Sequence, residues 1–198
     1  MTMPGPDLGP LNGRDIVVGV TGGIAAYKTA RLVSRLVQAG AGVSVVMTEA
    51  AKQFVAPLTF QTLSGRPVYS HLFAATESHR AEHVSLAERA EIVVVAPATA
   101  NILGKLAHGI ADDLLSTFLL AADAPLVMAP AMNARMWGHP AVQANCQVLE
   151  SRGVRFVGPV EGYLACGTIG EGRMAEPEEI LTVLAEVAAA TPPDRGKG

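Results

Sequence analysis

A cysteine lies in a glycine-rich stretch near the end of the chain, "GYLACGTIGEGRM" at residues 162–174. Its thiol could give or take a proton, because the ordinary pKa of cysteine lies near neutral pH. The alternative for Cys166 is a buried and inert residue. So much glycine predicts that neither a regular helix nor a regular strand forms here.

The segment "PAMNARMW" at residues 130–137 surrounds one amide with apolar side chains. Met132, Asn133, Met136 and Trp137 follow a strand-like run, and an exposed apolar cluster of this kind is costly unless something covers it. The Asn133 amide can donate to a carboxylate, and its carbonyl can accept from an N–H. The segment therefore predicts a ligand site.

The segment "VTGGIAAYK" places Gly22 and Gly23 between a strand-like run and a helical pattern. Exposed N–H groups and the helix dipole favour a phosphate at such a turn, and a tight turn without a ligand is the alternative. The spacing matches neither GxGxxG nor GxxxxGK[ST], so it disfavours a dinucleotide or a P-loop nucleotide. A single phosphate monoester would fit.

Two further segments contain polar candidates. Thr99 and Asn101, in "APATANILGK", could bind a ribityl or sugar chain, although the segment taken alone favours capping of the next helix. His83, in "EHVSL", is a candidate general base because imidazole titrates near neutral pH. A solvated or capping histidine is the alternative.

Short β-branched apolar runs predict buried strands at residues 15–20, 42–47, 91–97 and 124–130. Helical patterns separate them, and "VRFVG" predicts a further strand. This alternation predicts an α/β fold, a Rossmann-like three-layer sandwich with a parallel sheet. Ligands of such sheets bind beyond the carboxyl ends of the strands, so five strand-following loops should gather at one edge. These loops are residues 21–28, 48–54, 97–105, 130–137 and 158–174.

Composition limits the classes of partner. A chain of 198 residues with 49% hydrophobic residues predicts one domain, and a net charge of −3 without a basic stripe predicts neither a nucleic-acid nor a membrane partner. No signal peptide or long apolar run is seen, which predicts a cytoplasmic protein. Cys146 and Cys166 form no metal spacing and no disulfide framework, so no metal site is expected. Pro and Gly content predicts a flexible arm at 1–13, a domain at 14–190 and a tail at 191–198.

Four stretches in order, "GGIAAYK", "AEHVSLAERAEIVVVAPATANILGKLAHGIADDLLS", "PAMNARMW" and "ACGTIGEGRM", resemble the flavin-containing cysteine decarboxylases. Within that family they are most similar to the bacterial phosphopantothenoylcysteine (PPC) decarboxylases. The resemblance implies a flavodoxin-like flavoprotein fold that binds FMN. It also implies decarboxylation of 4'-phosphopantothenoylcysteine to 4'-phosphopantetheine in coenzyme A biosynthesis, through oxidation to a thioaldehyde, loss of carbon dioxide and re-reduction of an enethiol.

The resemblance also implies roles for individual residues. His83 resembles a base toward the substrate thiol or a flavin-site residue, Cys166 a proton donor on a mobile flap, and Asn133 a substrate-binding residue. Further substrate-binding positions are Met136, Ala165, Arg173 and Met174. The implied FMN-binding positions are Gly22, Gly23, Ile24, Ala25, Thr48, Thr99, Ala100, Asn101, Ala131 and Met132.

Partners follow from the same resemblance. The family implies a homo-oligomer, a trimer or an assembly of trimers, with the flavin site between subunits. In most bacteria this domain is fused to a phosphopantothenate–cysteine ligase domain. The closing "DRGKG", residues 194–198, is similar to the run that leads into it, which suggests a truncated half. A flavin prenyltransferase, a peptidyl-cysteine decarboxylase and a non-catalytic flavin-binding regulatory subunit remain as alternatives, and "PAMNARMW" argues against the first.

Overall fold

The computed structural model describes residues 7–72, 82–163, 167 and 169–192, without the side chains of residues 82 and 83. Six strands form one parallel sheet, and they are β1 Asp15–Val20, β2 Gly42–Met47, β3 Val68–Tyr69, β4 Ile92–Ala98, β5 Leu126–Pro130 and β6 Arg155–Phe156. Their order in the sheet is β3-β2-β1-β4-β5-β6. The four central strands are almost wholly buried because helices cover both faces, which is why their sequences are continuous apolar runs.

Eight helices in the described residues complete the three layers. One apolar cluster joins α1, α2 and α8 to one face of the sheet, and a second joins α3, α4, α5 and α7 to the other face. The α/β class and the Rossmann-like sandwich are therefore confirmed. The helices are α1 Ala26–Gln38, α2 Pro57–Ser64, α3 Glu82–Arg89, α4 Ala100–His108, α5 Leu114–Ala121, α6 Ala134–Trp137, α7 Pro140–Ser151 and α8 Pro177–Ala190.

None of the helices in the described ranges is both long enough and apolar enough to cross a bilayer.

The core begins before β1. Leu11, in a short 3-10 helix, is fully buried. Arg14 is also buried, and its guanidinium donates to the Glu91 carboxylate at 3.0 Å and to the Ala188 carbonyl at 2.7 Å. These contacts join the start of β1 to the segment before β4 and to the end of α8. The domain boundary at residue 14 stays a prediction, but packing extends to the N-terminal side of it.

The glycine-rich stretch contributes to two strands that the sequence did not predict. β7 Val160–Tyr163 and β8 Ile169–Arg173 pair antiparallel, so the expectation of no regular strand in 162–174 was wrong at both ends of that stretch. Glycine is required at 172 because a Cβ atom there would collide with the Met132 carbonyl oxygen. The Met132 N–H donates to the Gly172 carbonyl at 2.9 Å. β8 therefore lies directly against the turn that carries Asn133.

Candidate functional site

A cavity of about 910 Å³ lies at the carboxyl edge of the sheet. The strand order reverses there, between β1 and β4, and this is where open α/β sheets bind their ligands. Its volume is at the upper end of the roughly 300 to 1,000 Å³ typical of cofactor and small-molecule sites. All five strand-following loops contribute to its wall, which confirms that they gather at one edge.

Most of the predicted site residues line this cavity. They are Gly22, Gly23, Ile24, Ala25, Thr48, Thr99, Ala100, Asn101, Ala131, Met132, Asn133, Met136, Arg173 and Met174.

The loop after β1 is held in close contact with two other loops of the cavity, those after β4 and β2. The Thr21 hydroxyl donates to the Pro97 carbonyl at 2.6 Å and accepts from the Thr99 N–H at 3.3 Å, which joins the loop after β1 to the loop after β4. Gly22 lies against Ala50, so a Cβ atom at 22 would overlap the Ala50 methyl group and lie 3.0 Å from its carbonyl carbon. Packing against Ala50 therefore requires glycine at 22, and the residue also lines the cavity.

The glycine turn offers donors to an anion. The backbone N–H groups of Ile24 and Ala25 make no hydrogen bond to any described residue, and both residues line the cavity at the start of α1. At Gly23 the nearest atoms to a hypothetical Cβ are Pro97 Cγ at 3.6 Å and Thr99 Cγ2 at 3.8 Å, so a methyl group there would make ordinary van der Waals contacts. Unpaired N–H groups at a helix N-terminus are the donors that a phosphate group requires.

The threonines at the cavity differ in their hydrogen bonds. Thr99 occupies the N-cap position of α4, but its side chain makes no capping hydrogen bond. Capping therefore does not explain this hydroxyl, contrary to the reading that the segment alone favours. The Thr48 hydroxyl accepts from the Ala51 N–H at 3.2 Å, and Asn101 is exposed in the first turn of α4.

Asn133 is fixed by the short helix that follows it. It is the N-cap of α6, where its Oδ1 accepts from the Arg135 N–H at 2.8 Å. This bond holds the amide at the cavity wall. The apolar cluster predicted around it is divided, because Met132 and Met136 line the cavity whereas Trp137 packs against the α4, α5 and α7 side of the core.

Three predicted residues fall outside the description. His83 lies in the first turn of α3, but its side chain is not described, and Ala165 and Cys166 lie in the undescribed part between β7 and β8. Their roles remain predictions. The other cysteine, Cys146, is buried in the core, and burial, assisted by nearby Glu150, raises the pKa of its thiol.

Sequence reasoning missed an acidic and basic cluster in the cavity wall. Lys105 Nζ lies 2.6 Å from Asp112 Oδ1 and 3.0 Å from Asp113 Oδ2. Burial alone would lower the pKa of Lys105, but its hydrogen bonds to the two carboxylates raise it. Burial alone would raise the pKa of Asp113, but hydrogen bonds from Ser116 and Lys105 lower it. Lys105 and Asp113 therefore stay charged at neutral pH.

A cation near the glycine turn was also missed. Lys28 lines the cavity one turn into α1, and its Nζ donates to Glu176 Oε1 at 2.9 Å. Its position three residues after Ala25 could have indicated this, because residues three apart on a helix share a face.

The residues that the structure describes contain no group of three or more side chains suited to hold a metal ion.

Comparison with known proteins identifies the family to which this chain belongs. Residues 6–189 match the family model described as Flavoprotein. The chain belongs to the flavoprotein family. It is 54% identical over 171 residues to the coenzyme A biosynthesis bifunctional protein CoaBC of Bacillus subtilis (strain 168). That match covers 86% of this flavoprotein chain and 42% of the relative, so the chain spans less than half the length of that protein.

Solved structures of other family members have the same fold. SpaF, described as an FMN-dependent cysteine decarboxylase, is 34% identical with a TM-score of 0.79, over 90% of this chain and 99% of SpaF. A PPC decarboxylase mutant complexed with pantothenoylaminoethenethiol is 29% identical with a TM-score of 0.78, over 87% of this chain and 97% of that one. The resemblance drawn from the four sequence stretches is thereby confirmed.

The contact between Gly22 and Ala50 predicts a contrast within one turn. We expect Gly22→Ala to lower the free energy of unfolding by about 1–3 kcal/mol, because the added methyl group forces the two loops apart. Gly23→Ala, whose methyl group would make only ordinary contacts with Pro97 and Thr99, should change that free energy by less than about 0.5 kcal/mol. Urea unfolding of both purified variants measures the difference. Equal midpoints for the two variants would show that the loops tolerate the methyl group.

Proposed function

We propose that this flavoprotein is an FMN-dependent decarboxylase that converts 4'-phosphopantothenoylcysteine to 4'-phosphopantetheine in coenzyme A biosynthesis. One observation carries the proposal: a single cavity brings the anion-accepting turn at 22–25 together with the fixed amide of Asn133. The name of the Bacillus subtilis relative supports the pathway, and the names of the two solved relatives support the cofactor and the reaction.

The cavity residues fit FMN. The N–H groups of Ile24 and Ala25, which no described residue accepts from, would bind its phosphate beside Gly23. The uncapped hydroxyl of Thr99 and the exposed amide of Asn101 would bind the ribityl chain, and Ala131 and Met132 would border the ring. When bound, FMN supplies reversible hydride transfer, which lets an oxidation and a later reduction cancel within one turnover.

The chain's own groups would orient the substrate and move its protons. Because Oδ1 of Asn133 accepts the α6 N–H, the amide nitrogen is the part that would donate to the substrate carboxylate. We assign His83 as the base toward the substrate thiol. Cys166 would return a proton to the carbon that loses carbon dioxide, since a thiol of ordinary pKa holds its proton at neutral pH. Ala165, Met136 and Met174 would surround the substrate.

Incubation with 4'-phosphopantothenoylcysteine tests the function. We expect release of carbon dioxide and a product lighter than the substrate by one carbon dioxide, both followed by mass spectrometry. Removal of the cofactor should abolish both, and FMN should restore them. FAD should not, because the turn lacks the dinucleotide fingerprint.

Control reactions distinguish this function from the three alternative functions. A peptide ending in cysteine should be a poor substrate, and rapid turnover of that peptide would make the protein a peptidyl-cysteine decarboxylase. No carbon dioxide from either compound, with FMN bound, would favour a regulatory flavoprotein. Joining of an isoprenyl phosphate to the flavin would instead indicate a prenyltransferase.

The substitution Asn133→Asp distinguishes a role of Asn133 in substrate binding from its role as the N-cap of α6. Asp keeps the N-cap of α6, because its carboxylate also accepts the Arg135 N–H. It would, however, bring a negative charge close to the substrate carboxylate, and like charges at short range repel each other. We expect retained FMN and a loss of kcat/KM on the order of 100-fold, or about 3 kcal/mol. Flavin absorbance and carbon dioxide release measure the two effects.

Asn145→Asp is the matched control, since it makes the same charge change on α7 outside the cavity wall. Its activity should stay close to that of the unchanged protein. Near-normal activity of Asn133→Asp would remove Asn133 from the substrate site.

We propose that the protein is a homo-oligomer, a trimer or an assembly of trimers. Large apolar side chains border the cavity and are exposed: Ile24, Tyr27, Met136 and Tyr163. Such a rim becomes more stable when another surface covers it, and a neighbouring subunit would also enclose the flavin. Light scattering on the FMN-loaded protein should give at least a trimer, and a monomer that retains FMN would contradict this.

A phosphopantothenate–cysteine ligase, fused or separate, is the partner we propose. Its reaction would create the acyl-cysteine that this site consumes. The support is that the Bacillus subtilis relative is bifunctional by name and that this chain covers 42% of its length.

A further inference from the structure

Two cations from distant parts of the chain meet at one carboxylate oxygen beside the cavity. Glu176 Oε1 accepts from Lys28 Nζ at 2.9 Å and from Arg173 Nη2 at 2.6 Å. Lys28 lies in α1, Arg173 ends β8, and Glu176 immediately precedes α8. Both cations line the cavity whereas Glu176 does not, so Glu176 would act on a ligand through them.

Lys28 holds the Glu176 carboxylate in place. The Lys28 side chain is 7% exposed, and its Nζ also donates to the Met174 carbonyl at 3.0 Å. Because a buried ammonium without a counter-charge is costly, the two side chains constrain each other. The hydrogen bond from Lys28 lowers the pKa of Glu176, burial opposes this, and Arg173 adds to the lowering. The carboxylate is therefore ionised at neutral pH.

Arg173 is held against the neighbouring strand. A Cβ atom on Gly162 of β7 would lie 2.9 Å from Arg173 Cδ and 3.2 Å from its Nη1, so the arginine side chain occupies the space beside that glycine. A guanidinium has five N–H donors, and among the described residues Glu176 accepts from one of them. Two cations against one carboxylate leave one surplus positive charge at the cavity. An anionic group is the ligand that this surplus favours.

We propose that Glu176, anchored by Lys28, is a positioning residue that holds Arg173 to bind the phosphate of the substrate. The inference rests on the proposed function, whose substrate carries a carboxylate and a phosphate. The carboxylate leaves as neutral carbon dioxide, so a cation on it would stabilise the reactant more than the transition state. The phosphate is unchanged by the reaction, and a planar guanidinium can bind it through two N–H groups at once.

Steady-state kinetics of Glu176→Gln test the positioning role with two substrates. For 4'-phosphopantothenoylcysteine we expect KM to rise about tenfold, or about 1.4 kcal/mol, with kcat little changed. For pantothenoylcysteine, which lacks the phosphate, neither constant should change. Arg173→Gln leaves the Lys28–Glu176 pair intact and should give the same pattern, so the test does not depend on the folding of one variant.

Glu178→Gln is the matched control. It breaks the exposed Arg31–Glu178 ion pair, of length 2.6 Å, on the same helix, and should change neither constant. An equal loss of kcat for both substrates in Glu176→Gln would overturn the positioning role and leave a structural one.

Binding of the product distinguishes phosphate from carboxylate. 4'-Phosphopantetheine keeps the phosphate and lacks the cysteine carboxylate, so calorimetry should show about tenfold weaker binding to Glu176→Gln and Arg173→Gln. Pantetheine should bind all forms equally. Unchanged product affinity would overturn the phosphate assignment. If the unchanged protein releases no carbon dioxide yet binds 4'-phosphopantetheine through Glu176, the proposed function fails and this inference stands.

Discussion

The parallel pairing of β1 with β4 is the constraint on which the site depends. These strands are neighbours in the sheet although α1, β2, α2, β3 and α3 lie between them in the chain. After β1 the chain turns into α1 on one face, and after β4 it turns into α4 on the other. The two loops must diverge, and the space between them becomes the cavity. The Thr21 hydroxyl joins the loops at the base of that space.

Carboxylates of the protein hold the cations of the cavity wall in place. Lys28, Lys105 and Arg173 each have a carboxylate partner among the described residues. A cation held in this way keeps its position before a ligand arrives, so binding costs less side-chain entropy than it would with free lysines. The three cations differ in exposure, however, and the side chain of Arg173 is the most accessible of them. A ligand anion can therefore reach Arg173 without displacing its carboxylate.

Local patterns in the sequence predicted five of the six strands of the sheet and much of the cavity wall, but not β3. β1 and β2 could be placed from their apolar runs, and the loops followed because carboxyl ends of parallel strands share one edge. The β7–β8 hairpin could not be predicted, since its glycines are explained by close approach to Met132, far away in sequence. The contact between Lys28 and Glu176 could not be predicted for the same reason, because the two residues are 148 positions apart in the sequence. The packing of the partly buried Trp137 against the second apolar cluster likewise depends on residues outside its own segment.

The burial of Arg14 has a consequence for the way two activities can share one polypeptide. Arg14 precedes β1, so it marks the amino edge of the sheet, and its bond to the Ala188 carbonyl brings the end of α8 to that edge. The cavity lies at the other edge, roughly 20 Å away for a strand of six residues. A domain attached after residue 192 would begin on the pole of the subunit that faces away from the cavity. Within one subunit, a compound made by such a domain would travel through solvent around the sheet to reach this site.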